Sequence, residues 1–306
     1  MASPSQTGSL GSDRKSAAGR VNFIIPGSMR SGTTYLYHLL SAHPQVFMPR
    51  QKELHYFSYH YAASGSIDLA AYDDYFADAQ PIHKAIGEAS PEYSSIEGIP
   101  ELLQKHLGNI KLIFILRDPV ERAYSHYWWA IKSGRVEWLS FEDALQQETA
   151  RLQSLELTRI NYAYVRRGLY LKEIQPFLEV FPRESLFFML LEEVKQQPLE
   201  QLNLACDFLG IDQFPSLPEI TRTNAANIPQ YPNVYRTLSA VHQRMSGSNI
   251  AGLHLARRAI RRVQNGFPRT TAHPSMKPAT RLHLQQVFRE ANQQLFEFLG
   301  KPNIWT

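Results

Sequence analysis

Between Gly27 and Thr34 the chain reads GSMRSGTT, a run of glycines, hydroxyls and one arginine suited to holding an anion. The first N–H groups of a helix have no intrahelical partners, and with the helix dipole they form an anion site. Small residues such as Gly27, Ser31 and Gly32 let a phosphate approach it. Against the phosphate-loop pattern G-x-x-x-x-G-K-S/T, Gly27, Gly32 and Thr34 keep the frame, but Thr33 stands where the lysine belongs. The nearest cation is Arg30, inside the loop. Without that lysine the site lacks the group that reaches the β- and γ-phosphates in kinases and ATPases. Nucleoside triphosphate hydrolysis is therefore disfavoured, and a loop remains that holds one anionic group. Arg117 and Ser125 can address a second anion, since arginine offers a rigid fork and serine a neutral donor. An ion pair with a neighbouring carboxylate is the competing use of Arg117.

The elements that must position these groups are legible around them. Phe23, Ile24 and Ile25 form an apolar run expected of a strand buried on both faces, which Pro26 is expected to end. Leu36, Leu39 and Leu40 then follow helical spacing, so a helix is expected to start near Gly32. A second strand is expected at Leu112–Leu116 and a third at Leu186–Leu190. Asp118 suits an N-cap and Pro119 the first helical position. Val120, Ala123, Tyr124, Tyr127, Trp128 and Ile131 mark the buried stripe of the helix that follows, with Glu121 and Ser125 off it. Pro198–Leu209 reads as a helix stopped by Gly210. A last helix carries Leu284, Val287, Phe288, Ala291, Leu295 and Leu299, and ends at Gly300 and Pro302. The stretch from His43 to Tyr93, rich in Tyr, His and Asp, reads as substrate-facing loops with one short helix. This alternation predicts an α/β fold, a mainly parallel sheet flanked by helices of the phosphate-loop, nucleotide-binding type. Ligands of such sheets bind outside the carboxyl ends of the strands, where the Gly27–Thr34 loop and Arg117 both fall.

Length and composition narrow the classes. The 306 residues suffice for one large domain, expected over 19–306 after a flexible tail over 1–18 that is rich in Ser, Gly and Ala. No apolar run approaches the roughly eighteen residues of a membrane span, and the first twenty residues lack the apolar centre of a secretory signal. Cys206 is the only cysteine, which excludes an intrachain disulfide and fits a reducing compartment. Its apolar neighbours suggest a buried structural thiol. A soluble, cytoplasmic protein is expected. The net charge of +4 is mild. Arg257, Arg258, Arg261 and Arg262 cluster before a Pro- and Thr-rich loop, suited to a solvated helix face, to closure over a phosphorylated cofactor, or to nucleic acid. Ser246–Ser248 is too short a break to divide the chain. Tyr56, Phe57, Tyr59, Trp128 and Trp129 could form an aromatic acceptor surface, although such spacing more often marks core.

The segments PGSMRSGTTYLYHLL and LIFILRDPVERAYSHYWW together resemble the two cofactor motifs of sulfotransferases that use 3′-phosphoadenosine 5′-phosphosulfate (PAPS). KELHYFS, RRGLYLKEI, LLEEVKQQPLEQLNLACDFLGI and the closing LHLQQVFREANQQLFEFLGKPNIW follow in family order, covering nearly the whole domain. The resemblance implies that Arg30, Ser31, Gly32, Thr33 and Thr34 hold the 5′-phosphosulfate and that Arg117 and Ser125 hold the 3′-phosphate. It puts Arg30 at the family's catalytic lysine; arginine keeps the charge but does not readily donate a proton. KELHYF resembles the heparan-type branch, which implies Glu53 as the base that takes the acceptor's proton. His55, titrating near neutrality, is the competing base. GEASPEY resembles a GEKTPAY-type segment with Ala89 in place of lysine, which suggests an acceptor unlike an anionic glycosaminoglycan. A basic loop over Arg261–Pro274 would close over the nucleotide. The implied reaction moves a sulfuryl group from PAPS to a hydroxyl, less readily an amine, of a glycan, lipid or small molecule. No metal and no nucleic-acid partner are expected. The rival classes are a phosphate-loop kinase or NTPase with Asp118 on magnesium, and a non-enzymatic basic protein that binds nucleic acid.

Overall fold

The computed structural model describes residues 21–60, 65–132, 137, 139–153, 161–220 and 274–305, with scattered positions between 228 and 270. The tail over 1–18, the break at 246–248 and most of the basic segment at 257–274 lie outside the described residues, although Arg258 and Arg262 are described and exposed.

Strands β1 (Phe23–Gly27), β2 (Val46–Phe47), β3 (Ala85–Ala89), β4 (Lys111–Leu116) and β5 (Leu186–Leu190) form one parallel sheet in the order β2-β3-β1-β4-β5. Alternate residues serve opposite faces. Ile24, Leu112, Phe114, Leu116, Leu186, Phe188 and Leu190 join one core, and Phe23, Ile25, Ile113, Ile115 and Met189 the other. The first face is covered by α3 (Ile99–Leu107), α6 (Tyr170–Val180) and the end of α9 (Pro278–Leu299); α2 (Leu69–Asp73) adds Tyr72. The second is covered by α1 (Thr33–Ser41), α7 (Leu191–Gln196) and α8 (Pro198–Leu209). A third core joins α4 (Pro119–Lys132), α5 (Phe141–Arg151) and α9, and contains Val120, Ala123, Tyr124, Tyr127, Trp128 and Ile131 from the predicted stripe of α4. A small antiparallel pair, β6 (Ile228–Pro229) with β7 (Arg269–Thr270), forms a second sheet.

Three expectations need correction. Pro26 does not end β1. Lacking an N–H, it interrupts the ladder, so pairing with β4 shifts from Ile24↔Leu112 to Gly27↔Phe114 while the strand runs on. The stretch from His43 to Tyr93 is more than loops, because β3 (AIGEA) is fully buried beside β1. Two small residues, a glycine and a carboxylate hid its strand character. Val287 lies off the buried stripe of α9 and is exposed.

Candidate active site

The site lies along the carboxyl ends of β1, β3 and β4. The chain leaves β1 through Gly27, turns, and enters α1 from Gly32, whose φ of 103° only glycine adopts without strain. Among the described residues no side chain caps α1, which leaves its first N–H groups free of intrahelical partners at the loop. A Cβ on Gly32 would meet Leu191 Cδ1 at 2.7 Å, and one on Gly27 would meet Ser94 Oγ at 2.6 Å. The loop has no room for side chains where the backbone bends closest. It is a fitting cradle for a phosphate.

Arg30 stands in this loop with φ 69°. Its Nε and Nη2 donate to Ser125 Oγ at 3.2 and 3.1 Å. The surrounding protein and the charge of Arg117, against the pull of Glu53, lower its pKa to about 10. Arg117 Nη1 donates to the Arg30 carbonyl at 3.4 Å. Arg117 Nη2 also pairs with Glu121 at 3.6 Å, so the competing ion pair is present, and Glu121 is in turn held by Arg281 of α9 at 2.5 Å. The two predicted anion sites are thus directly joined.

Tyr170, at the start of α6, ties the same two segments from below. Its hydroxyl accepts the Arg117 N–H at 3.3 Å, donates to the Arg117 carbonyl at 2.6 Å, and lies 3.5 Å from Ser31 Oγ. The sequence assigns it no role, although it lies in the RRGLYLKEI segment. Asp118 Oδ1 accepts the Val120 N–H at 2.8 Å, so this carboxylate is spent as the cap of α4.

Glu53 and His55 arrive from the other side. The Glu53 N–H donates to the carbonyl of Ala89, the residue paired with Ile25 of β1. Leu54 between them is buried in the core and pins the segment. Glu53 has φ 63° and His55 φ 54°. Arg30, Glu53 and His55 are the non-glycine residues with positive φ among the described residues, and the sequence singled out the same three for chemistry. Such conformations cost about 1–3 kcal/mol each and gather at functional sites.

Two carboxylates face the His55 ring. Nδ1 pairs with Glu92, whose Oε1 also accepts Ser58 Oγ at 3.1 Å, and Nε2 lies 3.8 Å from Glu53 Oε2. Glu53 also pairs with Lys52. Burial opposes the charged ring, but the hydrogen bond and charge of Glu92, with Glu53 and Glu88, outweigh it and raise the His55 pKa. Beneath, Glu88 of β3 accepts Ser90 Oγ at 2.6 Å, Tyr72 at 3.1 Å and Tyr93 at 3.2 Å, and Ser90 Oγ accepts the His55 N–H at 3.1 Å. Burial pushes the Glu88 pKa up to about 7 despite these donors. The sequence assigns no role to Glu92 or Glu88, though both lie in the GEASPEY segment.

Of the aromatic candidates, Tyr56, Phe57 and Trp128 are core, while Tyr59 is 46% exposed. Cys206 is buried, and burial raises its thiol pKa to about 11. Among the described residues no cluster of three or more His, Cys, Asp or Glu has the arrangement of a metal site, and no helix is long and apolar enough to cross a membrane.

A family model described as "Sulfotransferase domain" matches residues 21–296. Among curated proteins, heparan sulfate glucosamine 3-O-sulfotransferase 5 of Mus musculus is 26% identical over 287 residues, covering 92% of this chain and 73% of that protein. Heparan sulfate glucosamine 3-O-sulfotransferase 3B1 of the same species is 32% identical over 61% of this chain and 45% of its own length. The membrane-associated sulfotransferase kil1 of Dictyostelium discoideum is 39% identical over 42% of this chain, a match that spans 28% of that protein. The crystal structure of a sulfotransferase from Alicyclobacillus acidocaldarius superposes with a TM-score of 0.65 at 25% identity, covering 92% of this chain and 97% of that one.

Proposed function

Since this chain belongs to the sulfotransferase domain family, we propose that it transfers the sulfuryl group of PAPS to a hydroxyl of a carbohydrate acceptor by in-line displacement. The observation that carries this reading is the junction of two anion-binding segments, Arg30 on Ser125 and Arg117 on the Arg30 carbonyl, beside a carboxylate whose charge acts on Arg30. The heparan sulfate enzymes among its relatives support a glycan acceptor.

PAPS, when bound, supplies the activated sulfuryl group. The α1 N-terminus and Thr33, Thr34 and Ser31 bind its 5′ side, and Arg117 with Ser125 its 3′-phosphate. Glu53 accepts the acceptor's hydroxyl proton as the new S–O bond forms and the S–O bond to the phosphate breaks. The products are a sulfate ester and 3′-phosphoadenosine 5′-phosphate (PAP). Arg30 and the helix N–H groups balance the charge that develops on the leaving phosphate oxygen, and they are in place beforehand, which is what makes such stabilisation effective. His55, held between Glu92 and Glu53, fixes the carboxylate.

The experiment is a transfer assay with labelled PAPS across neutral and anionic oligosaccharides, alongside calorimetry with PAP. Arg30→Ala is expected to reduce kcat by about 100-fold or more while PAP still binds. A chain that bound neither PAPS nor PAP would sink the reading; magnesium-dependent turnover of ATP would replace it with a kinase-like one.

A further inference from the structure

In-line transfer brings the sulfuryl oxygens between the leaving phosphate at the Gly27–Thr34 loop and the acceptor hydroxyl at Glu53, and a buried cation adjoins both sides. Arg167, in the tight turn Arg166–Gly168, is 2% exposed. Its Nη1 contacts Met29 Sδ at 2.6 Å, and Met29 is the loop residue before Arg30. On the acceptor side the charge of Glu92, the partner of His55, acts on it. Its turn is pressed into place, because a Cβ on Gly168 would meet Phe288 Cε1 at 2.6 Å and Pro119 Cβ at 2.9 Å.

This guanidinium has idle donors. Nε and Nη2 find no acceptor among the described residues, and a thioether is only a weak partner for Nη1. Arg122 is buried beside it, with Nε and Nη1 likewise lacking acceptors among the described residues and Nη2 on the Tyr164 carbonyl. The carboxylates that act on Arg167 are already engaged: Glu173 accepts Ser94 at 3.1 Å and Ser95 at 2.7 Å, and Glu92 holds His55 and Ser58. Burial, with Arg122 against the pull of Glu173, lowers the pKa of Arg167 to about 10, which leaves it charged at neutral pH. A buried charge with idle donors is costly to fold around unless an anion arrives to meet it.

We propose that Arg167 is a sulfonate-binding residue whose Nε and Nη2 form a fork for two oxygens of the transferring sulfuryl group. The proposal rests on the PAPS reading above and names a contact within that site. It assigns the loop and Arg117 to the phosphates and Arg167 to the group that is transferred, so Arg167 distinguishes the charged donor from the spent product.

The test is calorimetric titration of the full chain and of Arg167→Gln with PAPS and, separately, with PAP, which lacks the sulfuryl group. Loss of a charge-assisted fork is expected to weaken PAPS about tenfold or more and to change PAP by less than about twofold. Arg167→Gln also removes a buried charge with idle donors, so its unliganded thermal midpoint is expected to match or exceed that of wild type. Arg167→Lys keeps the charge but loses the fork, and gives a smaller drop in the PAPS-to-PAP affinity ratio; it decides the matter if the glutamine variant does not fold. Equal weakening of both ligands, or unchanged PAPS affinity, overturns the proposal while leaving the donor assignment standing. Wild-type protein that binds neither ligand overturns both.

Discussion

Replacing Glu92 by glutamine probes the support of the acceptor-side cluster. The carboxylate is 5% exposed at its side chain, pairs with His55 Nδ1 and accepts Ser58 at 3.1 Å. Glutamine keeps the shape and removes the charge. A hydrogen bond between charged groups contributes about 1.5–3 kcal/mol and one between neutral groups about 0.5–1.5. The His55 pKa is raised in the fold, chiefly by Glu92 acting against burial. Stability from a raised histidine is fully present below its unfolded value, near 6.5, and is lost as pH rises through the folded value. The variant is therefore expected to lose about 2–3 kcal/mol at pH 6 and about 1 kcal/mol at pH 9. At about 2.1 cal/mol/K per residue, a chain of 306 residues shifts its midpoint by about 1.5 °C per kcal/mol. The expected fall is about 3–5 °C at pH 6 and about 1–2 °C at pH 9. Thermal melts of both proteins across that range measure it, and the His55 ring resonance should titrate at lower pH in the variant. An equal fall at both pH values, or an unmoved His55 titration, would refute the coupling.

Gly32→Ala forces a left-handed alanine and a contact with Leu191 Cδ1 at 2.7 Å; a cost of about 2–4 kcal/mol and weakened PAP binding are expected in denaturant melts and calorimetry. Arg117→Ala removes the proposed grip on the 3′ side and the contact to the Arg30 carbonyl; PAP affinity should fall about tenfold or more, whereas affinity for adenosine 5′-phosphosulfate, which lacks the 3′-phosphate, should change little. Cys206, buried and with its pKa raised to about 11, should resist iodoacetamide at pH 8 until the chain is unfolded, which mass spectrometry reads directly.

How much of this was legible in the sequence follows from how local each signal is. Runs such as FII and LIFIL announce buried parallel strands because both faces demand apolar residues. Asp118 and Pro119 announce the start of α4 because capping needs only neighbours in sequence. β3 was not legible: AIGEA contains a glycine that lets it lie against Phe23 and a glutamate that is buried only because Tyr72, Tyr93 and Ser90 serve it. The same limit hid Tyr170, Glu92, Arg122 and Arg167. The spacing along α4 assigned Val120 and Ala123 to the core correctly, but nothing local says that Arg122 is buried with them. Roles fixed by partners far along the chain emerge only when the fold brings those partners together.

The costs the fold carries are concentrated at one end of the sheet. Left-handed Arg30 lies in the loop, left-handed Glu53 is tied to the end of β3, and the buried Arg167, with idle nitrogens, touches the loop at Met29. Such exceptions persist where the surrounding structure enforces them and a ligand can repay them. The Arg30–Ser125 link fits this logic. It spends two Arg30 donors on the Ser125 hydroxyl oxygen, so a ligand with one phosphate that draws Arg30 away leaves Ser125 without that donor. A 3′,5′-bisphosphorylated nucleotide satisfies both with a single loss of translational freedom. On the proposed reading, these contacts favour a donor of the PAPS type over mononucleotides without any residue reading the base.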